Sequence, residues 1–126
     1  TGLSQKDVDG GMTFSQACDF LRDHNSRNYI WASWGDYDRR MWEDQCGVFG
    51  VKNPLGAQHL NIKALFAVMT GGWAKGLSMA IDKFNMTHVG RPHSGGDDAI
   101  TAAMVLHRLI GERPRNCGIM SYPIGG

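Results

Sequence analysis

Between His88 and Asp98 the chain reads His-Val-Gly-Arg-Pro-His-Ser-Gly-Gly-Asp-Asp, and an apolar helical run follows from Ala99 to Ile110. The segment sets the imidazole of His93 five residues before the carboxylate of Asp98, on a glycine-rich loop that feeds a helix. That pairing suits metal-assisted phosphodiester cleavage. A carboxylate holds a hard divalent cation, and a histidine on a loop takes a proton from the attacking water. Upstream, Ser33-Trp-Gly-Asp-Tyr-Asp38 offers a second acidic site, at Asp36 or Asp38. The H-x4-D spacing is common by itself; an acidic site upstream and a defined order of segments between the two add specificity.

The elements that must position these groups follow from pattern. Ser4-Gln-Lys-Asp7 reads as a capping box before a short helical turn that Gly10-Gly11 stops. A second helix starts at Thr13, with Phe14, Ala17, Cys18, Phe20 and Leu21 on its apolar face. After a polar break at 25–28, Tyr29-Ile-Trp-Ala-Ser-Trp34 is short, aromatic and β-branched, which predicts a buried strand. Asp36 or Asp38 then opens a helix that turns Met41, Trp42, Cys46 and Phe49 inward. A loop at 52–56 precedes a strand, His59 to Ile62, that runs straight into a helix with Leu65, Phe66 and Met69 on one face. Gly71-Gly72 breaks the chain before another helix carrying Leu77, Met79, Ala80, Ile81 and Phe84. Alternating strands and helices predict an α/β architecture. One domain over 1–112, with an irregular tail over 113–126, is expected from the prolines and glycines after Gly111.

Composition narrows the class without choosing the chemistry. At 126 residues, 42% apolar and 20% charged, the chain is long enough for one domain with a core. No stretch approaches a membrane span, so no membrane partner is expected. Cys18, Cys46 and Cys117 are odd in number and form no CxxC pair, which favours free thiols in a reducing, cytoplasmic setting. The net charge of +1 provides no broad basic field for nucleic acid, and a protein gripping only a strand end needs none.

Several segments in order resemble the DEDDh-type 3′–5′ exonucleases, the superfamily of ribonuclease T and the proofreading exonuclease of DNA polymerase III. Thr1-Gly-Leu-Ser-Gln-Lys-Asp-Val-Asp9 is similar to that family's T-G-I-x-x-x-x-V segment. Ser33 to Asp38 resembles its second motif, Leu60-Asn-Ile-Lys63 the short strand that follows, and Gly90 to Asp98 its third motif. The nearest branch is the histone-mRNA and siRNA-degrading group with its bacterial relatives. The resemblance implies a ribonuclease H-like fold, two Mg2+ or Mn2+ ions in the complete site, and a single-stranded RNA or DNA 3′ end as substrate, with RNA favoured by the branch. It assigns the general base to His93 and metal ligands to Asp98 and Asp38. Asp38 is preferred because Met41 and Trp42 follow it at helical spacing, and Asp36 is the fallback.

Two departures stand out. Thr101 occupies a position where the family has Asn, and no Asp-x-Glu, the family's first motif, occurs anywhere in the sequence. The expectation is therefore the C-terminal portion of one exonuclease domain, lacking its first three strands and unable by itself to hold two cations. An unpaired strand edge would follow, to be covered by the missing N-terminal segment or by self-association. The competing expectation is a catalytically inactive exonuclease-like module that binds nucleic acid or a protein partner.

Simpler roles compete for several residues. Asp97 is expected to cap the helix or to accept backbone amides. Trp31, Trp34 and Trp42 belong in or near the core, leaving Trp73 as the one tryptophan considered for substrate contact. His24, His59, His88 and His107 show no useful metal-ligand spacing, and Arg39, Arg40 and Arg91 read as solvated charges.

Overall fold

The computed structural model describes residues 10–111. The segment expected to form a helical turn near Ser4, the tail beyond 112, and Cys117 lie outside the described residues. Helix α1, Phe14–Asp23, starts where the sequence predicts. Thr13 Oγ1 accepts from the Gln16 amide at 3.1 Å, and Gln16 Oε1 accepts from the Thr13 amide at 2.9 Å, so two otherwise unpaired donors are satisfied reciprocally. A 3-10 turn at Ser26–Asn28 leads into strand β1, Trp31–Ser33. Helix α2 spans Tyr37–Phe49, strand β2 His59–Asn61, helix α3 Ile62–Thr70, helix α4 Leu77–Lys83 and helix α5 Gly95–Gly111.

β1 and β2 pair in parallel, with Trp31, Ala32 and Ser33 opposite His59, Leu60 and Asn61. A parallel pair needs a crossover, and α2 with the 52–56 loop supplies it. That loop is fastened by side chains reaching its carbonyls: Arg22 to Lys52 at 2.7 Å, Arg27 to Asn53 at 2.9 Å, and Ser26 to Pro54. Gly56 closes it, because a Cβ there would strike the carbonyl oxygen of Tyr29. Helix α3 begins directly from β2 because Asn61 Oδ1 accepts from the Ala64 amide at 3.0 Å. It stops at Gly71, whose φ of 72° is left-handed.

The core lies where α3, α4 and α5 meet: Ile62, Phe66, Ala80, Ile81, Ala102, Val105 and Leu109 are all buried. Ile62 and Phe66 are four residues apart, and Ala102, Val105 and Leu109 recur at three and four, so each helix contributes one face. A smaller cluster joins α1 to α2, where the Phe14 ring lies 5.0 Å from Trp42 and 5.4 Å from Phe49; Cys18 and Cys46 are buried, unpaired thiols. No helix among the described residues is long and apolar enough to cross a membrane.

The mixed arrangement of helices around a small parallel sheet is compatible with the expected α/β class, with three corrections. The strand predicted over 29–34 is confined to 31–33 and is not buried. Tyr29 and Ile30, ahead of the strand, are 65% and 64% exposed, Ala32 is exposed, and among the described residues β1 pairs with β2 alone. The inward faces of α2 and α3 are narrower than predicted, since Met41, Phe49 and Met69 remain exposed beside buried Cys46 and Phe66. The last helix begins at Gly95 rather than after Asp98, which puts Asp97 and Asp98 in its first turn.

Candidate active site

Asp38 stands in the first turn of α2, just past the carboxyl end of β1, and Asp98 in the first turn of α5. The two carboxylates line one cavity of about 490 Å³, walled otherwise by Ser33 and Trp34 from the strand end and by Ala99, Ala102 and Leu106 from α5. Crevices beyond the carboxyl ends of parallel strands are where α/β folds place ligands. The first turn of a helix also favours a carboxylate electrostatically. Asp36, the fallback, faces elsewhere. It grips Arg39 with both oxygens, at 2.6 and 2.7 Å, and lines a separate shallow concavity with Lys63 and Ala74. The Arg39 hydrogen bonds hold the Asp36 carboxyl below its ordinary range. Asp38 thus lines the cavity shared with Asp98, whereas Asp36, the residue at the helix N-cap, is occupied by arginine.

The loop before α5 is clamped onto that helix by three side chains. Thr101 is fully buried; its hydroxyl donates to Asp97 O at 2.8 Å and accepts from the Val89 amide at 3.0 Å. Asp97 Oδ2 accepts from the Arg91 amide at 2.9 Å, so Asp97 binds a backbone amide as one of its two expected roles required. Gly90, at φ 61°, permits this approach, because a Cβ there would overlap the Asp97 carboxylate. Asp98 Oδ1 accepts from the His93 amide at 3.2 Å, and His93 adopts a left-handed φ of 66° that aims its N–H inward. The His93 side chain is exposed and is not among the residues walling the cavity.

Sequence reasoning passed over His88. Its Nε2 lies 2.8 Å from Asp98 Oδ1 and its Nδ1 2.7 Å from Val89 O. Both contacts are to oxygen acceptors, one on a carboxylate and one on the backbone. His88 is the side chain that orients the Asp98 carboxylate here, in the manner of residues that fix a metal ligand from behind. Spacing gave no signal for it, but its place at the start of the clamped loop did bring it to the helix.

His59 faces the strand end from β2. Its Nε2 is 2.8 Å from Ser33 Oγ, and the Ser33 hydroxyl also donates to Gly35 O at 3.0 Å. Burial pushes the His59 pKa down, with the Asp36 charge opposing weakly. A histidine whose folded value lies below its unfolded one stabilises fully above the unfolded value, near 6.5, and loses that contribution as pH falls from there toward the folded value. The thermal midpoint is therefore expected to drop between pH 7.5 and 5.5, and His59→Gln to shrink that drop in circular-dichroism melts. An identical drop in the variant would remove His59 as a cause.

The donors at the cavity have the chemistry of a hard-cation site, but they are few. Asp38 and Asp98 provide carboxylate oxygen; among the described residues no group of three or more His, Cys, Asp or Glu side chains gathers as a metal ligand set. Asp38 and Asp98 are thus the two acidic residues that the described structure brings to this cavity.

No family model matches the chain. Over 86% of its length, in an alignment of 123 residues, it is 31% identical to ERI1 exoribonuclease 3 of Bos taurus, Homo sapiens and Mus musculus. The chain spans 36% of the length of these curated relatives, so what it is similar to is about a third of an exoribonuclease.

Proposed function

We propose that this chain carries half of the active site of a metal-dependent 3′–5′ exonuclease with a ribonuclease H-like fold, acting on single-stranded 3′ ends. The observation that carries the reading is that Asp38 and Asp98, distant in sequence, line one cavity beyond the carboxyl end of β1. The likeness to exoribonucleases supports RNA as the preferred substrate. Asp38 and Asp98 would hold Mg2+ or Mn2+ together with carboxylates from an Asp-x-Glu strand, which the sequence lacks. Such a cation would supply positive charge to the phosphodiester undergoing cleavage. His93 would accept the proton of the attacking water; its ring is exposed, and its amide ties the residue to the Asp98 carboxylate. His88 and the His93 amide hold the Asp98 carboxylate in place. The second edge of β1, unpaired among the described residues, supports cover by another segment or by a second copy of the chain.

The test uses a 5′-labelled single-stranded oligoribonucleotide and the polypeptide that joins this chain to an Asp-x-Glu strand. Stepwise shortening from the 3′ end is expected with Mn2+, none with EDTA, and roughly 10²- to 10⁴-fold less in His93→Ala. Shortening that survives EDTA or His93→Ala would refute the reading. Nucleotide binding without any shortening would favour the inactive binding module, a reading the short count of donors also supports.

A further inference from the structure

Between α3 and α4 the chain makes a glycine-flanked excursion, Gly71-Gly-Trp-Ala-Lys-Gly76. Its tryptophan is 73% exposed, in a protein whose other three tryptophans are half-buried. An exposed indole presents a large amphipathic face to whatever meets the surface there. The ring is not left bare on both sides: Lys75 Nζ stands 4.9 Å from its centroid. A cation over one face leaves the other free and keeps positive charge beside whatever settles there.

The excursion is tied to the cavity. Trp34, which lines the Asp38–Asp98 cavity, donates its indole N–H to the carbonyl of Lys75 at 3.0 Å. Leu77, immediately after the excursion, lines the same cavity. Ala74 lines the neighbouring concavity with Lys63. Trp73 and Lys75 are thus chain neighbours of Ala74 and Leu77, which line two different hollows, and the Lys75 carbonyl is bound by a residue of the carboxylate cavity.

We infer that Trp73 and Lys75 form a binding platform for one nucleotide of a single-stranded nucleic acid, the base stacked on the free indole face and its phosphate met by the Lys75 ammonium. This rests on the nuclease reading, and deepens it by naming side chains that hold substrate outside the reacting centre. Stacking accepts any base, and a single ammonium reads charge rather than sequence, so the platform grips a strand without choosing among sequences. With a net charge of only +1, the chain has no broad basic field to do this instead.

The experiment is the anisotropy of a labelled oligouridylate titrated with the chain in EDTA, where hydrolysis cannot intervene. A deoxythymidylate arm distinguishes RNA from DNA. Trp73→Ala is expected to weaken binding roughly 5- to 100-fold, and Trp73→Phe to recover most of it, since a smaller ring still stacks. Lys75→Ala keeps the carbonyl that Trp34 uses and should reduce the slope of log Kd on log salt by about 0.7. Both positions are exposed, and unchanged melting curves would show the fold intact. No binding by the unaltered chain, an unchanged Kd in Trp73→Ala, or an unchanged salt slope in Lys75→Ala would each overturn the inference. The nuclease reading fails on a different observation, Mn2+-dependent nucleotide release that survives Asp98→Asn, whatever Trp73 does.

Discussion

Replacing Asp38 with Asn is expected to lower metal-dependent nucleotide release by about 10³-fold, the scale on which one electrostatic group in a hydrolytic site acts. Asp36→Asn, two residues earlier, should leave release within a few-fold. The contrast follows from where each carboxylate is committed. Asp36 is held by both oxygens on Arg39, with Arg40 Nε 3.6 Å away, so its charge is already neutralised. Asp38 lines the cavity that Asp98 shares, and the amide substitution removes its negative charge while keeping its size. The measurement is initial rate on a 5′-labelled single strand with the polypeptide carrying an Asp-x-Glu strand. A large loss in Asp36→Asn with normal rates in Asp38→Asn would reverse the assignment.

The largest effect on stability is expected at Phe66. It is 1% exposed at the centre of the three-helix core, with Trp34 5.8 Å and Phe84 5.4 Å away, ring to ring. Phe66→Ala leaves a cavity among neighbours fixed by the crossing of α3 and α5, at a cost of about 3–5 kcal/mol. That is a large share of the roughly 5–15 kcal/mol that holds a domain folded. Because Trp34 rests on Phe66 and also walls the carboxylate cavity, the loss should reach the site. Val68 on the same helix is 78% exposed, and Val68→Ala should change stability by no more than about 0.5 kcal/mol. Urea unfolding of both variants checks the pair; equal losses at the two positions would contradict the core described above.

Local signals were legible where they act within a few residues. The helix start at Thr13, the Gly71 stop and the passage from β2 into α3 each depend on near neighbours, and all occur as the sequence predicts. The carboxylate pair was legible because its two motifs sit at predicted element starts. The extent of β1 was not, since an aromatic, β-branched run signals a strand without saying how many neighbours will cover it. His88 was not legible because its partnership with Asp98 depends on the clamp from Thr101 to the Val89 amide, a long-range contact without periodic spacing. The left-handed turn at His93 was equally hidden: glycines surround it, yet a histidine takes the positive φ and thereby aims its amide at Asp98.

The central claim is that Asp38 and Asp98 face one cation. Titration of the chain with Mn2+, followed by the loss of the free-ion electron paramagnetic resonance signal, tests it without any appeal to activity. Two carboxylates make one weak site, so binding is expected in the millimolar range (on the order of 1 mM), as for weak oxygen-ligand sites. It should weaken alike in Asp38→Asn and Asp98→Asn and persist in Asp36→Asn. Binding that is untouched by Asp38→Asn or Asp98→Asn, or abolished by Asp36→Asn, would contradict the account.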